Sequence, residues 1–317
     1  MKITVLVPTY RRSQDLERCL IALQQQVRPV DEVLLTVRDT DSETWAFLAS
    51  FRAEGLPLRT VTVTVPGVVA AMNLGFEASQ GDIVAVTDDD AAPHPDWLKR
   101  IEAYFLADEM IGGVGGRDWV HQGETVETGS REVVGRIQWF GRLVSNHHLG
   151  VGASQEVDVL KGVNMSFRRA AIAELRCDDR LKGTGAQVHF EVTFCLSVKE
   201  RGWKLIYDPA IAVDHYVAQR FDEDGRESFS ALAAVNIAHN ETLVLLDHFS
   251  PIRRFVYLAW AVLVGTRMTP GFVQLLRLLP AEGSLAAQKY QACMQGRWQG
   301  WQTWNGARRN QLRRVYP

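Results

Sequence analysis

Asp82-Ile83-Val84-Ala85-Val86-Thr87-Asp88-Asp89-Asp90 is an apolar strand that runs straight into three consecutive carboxylates, followed by the loop Ala91-Ala92-Pro93-His94-Pro95-Asp96-Trp97. Carboxylates crowded together repel one another, and a folded chain tolerates them best with a cation between them. The strand delivers them to its C-terminal edge, where open α/β sheets bind ligands. A hard divalent metal with open positions for phosphate oxygens is the natural occupant; a solvated acidic turn is the plainer alternative. On an extended segment, Asp88 and Asp90 are two apart and project to the same side.

Working outward, residues 2–7 read as a buried β-branched strand closed by Pro8. Ser13 can cap a helix in which Leu16, Cys19, Leu20 and Leu23 recur at helical spacing. A second strand, 32–37, breaks at Arg38-Asp39-Thr40; a helix, 43–54, leads to a third strand, 58–65. Gly67 opens a helix over 69–79, and Gly81 turns into the strand that carries the aspartates. This alternation predicts a mostly parallel sheet with helices on both faces. Beyond Trp97 the pattern predicts a helix to about 106, a Gly-rich strand over 111–119 and an excursion over 121–158. Ordered structure resumes at Lys161-Gly162-Val163-Asn164, continues through a helix over 190–202 and a strand over 204–207, and turns helical from about 228.

The 317 residues, 46% hydrophobic, are enough for one large domain or a domain with an appendage. The net charge of −2 hides an asymmetry: residues 251–317 hold ten basic residues and one acid, Glu282, hence +9, leaving −11 for residues 1–250. Such a split points to an anionic partner for the basic part. Cys19, Cys177, Cys195 and Cys293 are scattered, with no zinc-like spacing, and read as reduced buried thiols of a cytosolic protein. The longest apolar candidate, 255–265, is 11 residues, short of the ~20 that cross a bilayer. No signal peptide and no membrane span are expected.

Five segments together resemble the family-2 glycosyltransferases: Val7-Pro8-Thr9-Tyr10-Arg11-Arg12; Ala71-Met72-Asn73-Leu74-Gly75-Phe76; the strand with Asp88-Asp89-Asp90; Gly162-Val163-Asn164-Met165-Ser166-Phe167-Arg168-Arg169; and Arg201-Gly202-Trp203 through Tyr207-Asp208-Pro209. Each is weak alone, but they occur in the family's order over roughly residues 1–220. The resemblance implies a GT-A type, Rossmann-like catalytic domain over 1–225 and a helical, basic, amphipathic extension over 226–317. It also implies an inverting transfer of a sugar from a nucleotide-diphosphate donor to an acceptor hydroxyl, in which Mg²⁺ or Mn²⁺ stabilises the departing diphosphate.

The resemblance carries over to particular residues. Asp90 is the expected direct metal ligand, with Asp88 near the ribose or the metal, Asp89 beside the donor, and His215 touching metal or diphosphate unless it is structural. Pro8, Thr9, Arg11 and Asn73 belong to the nucleotide wall. Asp39 stands where the family recognises the base, although an Asx-turn would suit it equally. Gly162, Asn164 and Asp179 fall on the acceptor side. The family usually places an acidic pair before a helix like that at Phe194, and His189-Phe190-Glu191 keeps one carboxylate. Glu191 is therefore the expected general base, with His189 as substitute, against a plain N-terminal helix glutamate. His147-His148 has no assigned role.

Trp298, Trp301 and Trp304, near Arg297, Arg308 and Arg309, suit either a membrane interface or a helical cap packed on the protein. The implied setting is cytoplasmic, at the inner face of the cell membrane, in envelope or exopolysaccharide synthesis on a glycan or lipid-linked acceptor. No nucleic-acid partner is expected. Two alternatives stand beside it. One is a nucleotidyltransferase-like enzyme, which the glycine-free Pro8-Thr9-Tyr10-Arg11-Arg12 opposes. The other is a degenerate, non-catalytic glycan-binding or scaffold protein, which Phe190 favours.

Overall fold

The computed structural model describes residues 1–52, 55–225 and 228–315, with side chains as far as Arg308. The chain begins β1 (Ile3–Thr9), α1 (Ser13–Gln24), β2 (Glu32–Arg38), α2 (Ser42–Ser50), β3 (Leu58–Val63), α3 (Val68–Ala78) and β4 (Ile83–Thr87). It continues through β5 (Ala91–Pro93), α4 (Trp97–Ala107), β6 (Ile111–Gln122), β7 (Thr125–Val126), β8 (Arg136–Ile137), β9 (Leu143–Val144) and β10 (Gln155–Glu156). Then come β11 (Asn164–Arg168), α5 (Arg169–Ile172), α6 (Phe190–Glu200), β12 (Lys204–Tyr216), α7 (Ala231–His248), α8 (Pro251–Leu263), α9 (Phe272–Glu282) and α10 (Ser284–Val315). The helix expected to reach Glu54 ends at Ser50; Glu54 itself lies outside the described residues, as does Arg226 at the expected start of the extension.

By backbone contacts the chain forms two compact units. One comprises Met1–Arg136, Val144–Cys177 and Phe194–Ala218; the other comprises Ile137–Leu143, Asp178–Thr193 and Gln219–Pro317. The first holds a ten-stranded sheet of order β10-β12-β6-β11-β4-β1-β2-β3, with β5 on β12 and β7 on β6. Strands β3, β2, β1 and β4 run parallel. The chain leaves β1 for β2 on one side and returns to place β4 on the other, so the C-terminal ends of β1 and β4 flank a switch point.

Strand β11 breaks the parallel run. It lies antiparallel between β4 and β6, pairing Asn164 with Thr87 and Met165 with Gly115. The glycines of β6 have a packing reason: a Cβ on Gly116 would stand 1.8 Å from the Ile211 carbonyl, where β12 bulges between Asp208 and Val213. β12 is longer than its sequence pattern predicted, because the irregular Asp208-Pro209 step interrupts the alternation without ending the strand. The core includes Val5, Val7, Leu20, Leu35, Ala85, Trp97 and Ile101, all fully buried. Burial on both faces explains why these strands read as continuous apolar runs.

In the second unit, Ser230 caps α7 by accepting the Ala233 amide at 3.2 Å. Gly296 and Gly300, four apart on α10, allow close approach to α7: a Cβ at either would stand 2.4–2.6 Å from the carbonyls of Val235 and His239. The tryptophan spacing resolves mostly as packing. Trp301 and Trp304 join the cluster of Leu245, Leu246, Phe249 and Tyr257, whereas Trp298 is 59% exposed and stacks on Trp301. Arg297 is buried and donates to the carbonyls of Thr269 and Pro270, so it adds no surface charge. The side chains of Arg309, Arg313 and Arg314 lie outside the described residues. Among the described residues, no helix is long and apolar enough to cross a membrane.

Candidate functional site

Asp88, Asp90 and His215 come together at the end of β4, with one ligand atom from each within 4.8 Å of the others. Two backbone features make this possible. β4 ends at Thr87 and the aspartates enter a turn closed by the Ala91 amide, which donates to the Asp88 carbonyl at 3.2 Å; this turn, rather than the extended segment expected from the sequence, sets Asp88 beside Asp90. Antiparallel pairing of β12 with β5, Ala91 opposite His215, then carries the histidine to the aspartates, and the Tyr216 amide donates to the Asp90 carbonyl at 2.8 Å. Alternation along β12 sends Asp214 to the face opposite His215, to His94 and His121 at 3.1 and 2.8 Å.

Asp90 is buried. Its Oδ2 accepts from the Ala218 amide at 3.0 Å, while its equally buried Oδ1 has no hydrogen-bond donor and faces His215 Nε2 at 3.4 Å. A buried carboxylate oxygen without a donor is costly, and a hard cation is the partner it suits. Burial works against the Asp90 charge, but His215, Arg12 and the Ala218 amide outweigh it and hold the carboxyl at about 2. Burial likewise opposes the His215 charge, yet Asp118 and Asp90 raise the imidazole to about 9. A divalent cation would supply the same positive charge and displace the Nε2 proton.

Asp118 on β6 was not foreseen from the sequence. It is fully buried, its Oδ2 lies 3.5 Å from His215 Nδ1, and it forms an ion pair with Lys161. A carboxylate behind the far nitrogen fixes the tautomer and direction of a metal-binding histidine. Its one sequence signal was a charge inside the Gly-rich strand Gly112-Gly113-Val114-Gly115-Gly116-Arg117-Asp118. Asp118→Asn is expected to weaken Mn²⁺ binding about 10–100-fold. Calorimetry with Mn²⁺ alone checks this; unchanged affinity would leave Asp118 with Lys161 as its sole task.

Arg12, rather than Arg11, faces the acidic cluster, donating to Asp89 Oδ1 at 2.8 Å and Asp90 Oδ2 at 3.4 Å. Asp89, buried, also accepts from the Tyr10 amide at 3.4 Å, so it ties down the loop after β1. Arg11 is exposed and left-handed, φ 56°, and its amide donates to Asp41 Oδ2 at 2.7 Å. Asp41, buried, also caps α2 through the Thr44 amide at 3.1 Å. Pro8 and Thr9 end β1 beside this loop, and Asp39 follows β2 in a turn, its side chain 40% exposed and its Oδ1 accepting the Thr40 amide at 2.9 Å. That contact reaches only the next residue, whereas the Asx-turn weighed from the sequence bonds two residues on.

Two expected contact residues are engaged inside the protein. Asn73 exchanges both amide atoms with the backbone of Cys177, at 2.7 and 3.1 Å. Asn164 accepts from Trp97 Nε1 at 2.9 Å and donates to the carbonyls of Ile211 and Arg117 at 2.9 and 3.3 Å. A ligand contact from either would compete with these bonds. Gly162 lies in the turn before β11. His147, buried, donates from Nε2 to the Val159 carbonyl at 2.9 Å and meets Ser145 Oγ through Nδ1 at 3.1 Å, so it is held inside the protein; burial lowers its imidazole to about 4.

In the second unit, Glu191 is the second residue of α6, partly buried in its first turn. The segment before it is backbone-strained: Gly183, Gln187 and His189 all have positive φ, 127°, 40° and 78°. Non-glycine residues persist there only when their surroundings over-determine them. Asn240 of α7 does so, bonding to Lys182 N, Lys182 O and Val188 O at 2.8, 2.9 and 3.0 Å. Asp179 is exposed; its neighbour Asp178 is the residue engaged, by Arg180 at 2.6 Å.

The sheet order and the acidic site at the β1/β4 switch point define a GT-A glycosyltransferase fold. Residues 4–176 match Glycosyl transferase family 2, and the chain belongs to that family. The uncharacterized glycosyltransferase YibD of Escherichia coli is 26% identical over 154 residues, 48% of this chain and 44% of that one. The glucosyl-dolichyl phosphate glucuronosyltransferase of Haloferax volcanii is 29% identical over 157 residues, 47% of each. The matched region thus spans less than half the length of these curated relatives. Among solved structures, the mannosyltransferase PcManGT of Pyrobaculum calidifontis, in complex with GDP-Man and Mn²⁺, aligns with a TM-score of 0.56 at 18% identity, over 90% of this chain and 77% of that one. TarS of S. aureus, in complex with UDP-GlcNAc, aligns with a TM-score of 0.58 at 15% identity, over 92% and 79%. At these identities the likeness concerns the fold.

Proposed function

We propose that the chain is an inverting, metal-dependent glycosyltransferase moving a sugar from a nucleoside-diphosphate donor to a hydroxyl of a glycan or lipid-linked acceptor. The observation that carries this reading is the cluster of Asp88, Asp90 and His215, with the buried Asp90 Oδ1 making no hydrogen bond and facing only the His215 imidazole. These three residues would hold Mg²⁺ or Mn²⁺, which would stabilise negative charge on the diphosphate leaving group. Family membership and the ligands bound in structural neighbours, GDP-Man with Mn²⁺ and UDP-GlcNAc, support a nucleotide-sugar donor.

In this reading Asp39 accepts from a base N–H, while Pro8, Thr9 and the Arg11 backbone wall the nucleotide. Asp89 and Arg12 hold that wall in register with the aspartates. Glu191 takes the proton from the acceptor hydroxyl as it attacks the anomeric carbon opposite the leaving diphosphate, which inverts the centre. Gly162, Asn164 and Asp179 remain the proposed acceptor-side residues, Asn164 through its placement of the strand end. Residues 1–225 form the catalytic part and 226–317 the helical extension. The setting is the inner membrane face, in envelope or exopolysaccharide synthesis.

The test is a panel of UDP-, GDP-, CDP- and dTDP-sugars with purified protein and Mn²⁺. One donor is expected to release its nucleoside diphosphate, and a chelator to stop the release. Pyrophosphate released from a nucleoside triphosphate instead would establish a nucleotidyltransferase. Diphosphate binding without turnover on any donor or acceptor would favour the scaffold reading, which Phe190 supports.

A further inference from the structure

We propose that the outward stripes of α8 and α9, with the turn between them, form a docking surface for an anionic lipid bilayer. This gives the membrane contact of the preceding reading a definite surface, and it is testable separately from sugar transfer.

Helix α8 turns Tyr257 and Ala261, four apart, into the second unit. Its other stripe leaves Ile252, Phe255 and Leu263 exposed by 72%, 74% and 58%. Helix α9 buries Leu278 and exposes Phe272 and Leu276, about half each. Met268, 75% exposed, stands on the connecting turn. That turn is braced: the Thr269 amide donates to Thr266 Oγ1 at 2.9 Å, and Gly265 bridges Pro270. A braced turn holds an apolar tip out in water, where a mobile one would fold it inward.

The patch is concentrated. Of 22 large apolar residues exposed among the described residues, eleven lie between Ile252 and Trp298. Scattered exposed apolar residues need no explanation, but a concentration of this kind marks an interaction surface.

The charge pattern names the occupant. No acidic residue occurs between Asp247 and Glu282, while Arg267 and Arg277 are exposed within that stretch. Apolar stripes edged by arginine and free of carboxylates suit the headgroup boundary of an anionic membrane, with the helices lying in its plane. Helices of 13 and 11 residues are too short to cross it. The same face of a second copy fits less well, since it would bring the same arginines with no acid to meet them. The surface differs from the tryptophan stripe expected from the sequence, of which Trp301 and Trp304 pack into the protein.

The experiment is co-sedimentation of the full chain with vesicles of phosphatidylcholine alone and of phosphatidylcholine with phosphatidylglycerol. Wild type is expected to pellet with the anionic vesicles and to be released by salt. Each of Arg267→Gln and Arg277→Gln should weaken partitioning about fivefold. The double variant Phe255→Ser/Leu276→Ser should abolish it while keeping the wild-type melting curve, as expected for exposed positions. Wild type that stays in the supernatant, or variants that pellet like wild type, would overturn the proposal. So would a concentration-dependent dimer dissolved by the same substitutions. Loss of nucleotide binding or turnover would count against sugar transfer and leave this surface standing.

Discussion

Asp90→Ala is expected to abolish Mn²⁺-dependent binding of the nucleoside diphosphate and to lower kcat about 10²–10³-fold, the usual cost of removing one group that stabilises charge on a leaving oxygen. The effect should be large because Asp90 contributes twice. Its buried Oδ1, which meets only the His215 imidazole at 3.4 Å and makes no hydrogen bond, is open to a cation, and its Oδ2 holds the Ala218 amide just beyond His215. Asp90→Asn separates the two contributions, because the amide oxygen keeps a hydrogen-bond acceptor for Ala218 while the charge is gone. Calorimetric titration of UDP, GDP and CDP with and without Mn²⁺, on wild type and both variants, reads the result. Unaltered metal-dependent binding in Asp90→Asn would remove Asp90 from the metal site. The variants should stay folded, since Arg12 keeps Asp89 and His215 keeps Asp118 as partners.

Glu191→Gln should lower kcat about 10²–10⁴-fold, the range of a general base. Binding of the Mn²⁺–nucleotide pair should not change, because in the proposed mechanism the carboxylate acts on the acceptor. Two readouts distinguish a base from a helix-terminal glutamate. The product should have the anomeric configuration opposite to the donor, and Glu191→Gln should leave the melting temperature near wild type, since macrodipole stabilisation amounts to only about 0.3–1 kcal/mol. Wild-type turnover in Glu191→Gln with a loss in His189→Gln would transfer the role to the histidine. The left-handed His189 and its anchoring through Val188 to Asn240 give the segment a fixed shape, so either result reports on a defined position rather than on loop mobility.

Much of the catalytic half was legible in the sequence because its information is local. Strand β4 and the three aspartates are contiguous, so one apolar run places Asp88 and Asp90 at the strand's end, although a turn after Thr87, not the strand period, makes them neighbours. The β1, β2 and β3 strands with their intervening helices repeat a short pattern whose parallel pairing follows from the crossovers. The antiparallel β11 was not legible, since a buried strand looks the same in either direction until its partners are known. For the same reason Asn164 and Asn73 looked like ligand contacts: a polar residue in a motif does not show whether its amide meets a ligand or a distant backbone, here Ile211 and Cys177.

The sequence by itself determined the fold class, the strand-end position of the aspartates and the family, because periodicity, turn residues and motif order are properties of neighbouring residues. The tertiary structure alone decided which atoms meet. Pairing of β12 with β5 brings His215 to Asp90, and pairing of β12 with β6 places Asp118, the partner of Lys161, behind the imidazole. It likewise decided that Trp301 and Trp304 pack inside while Phe255 and Leu276 face water. Helical spacing identifies an apolar stripe, but whether protein covers that stripe depends on neighbours far away in the chain.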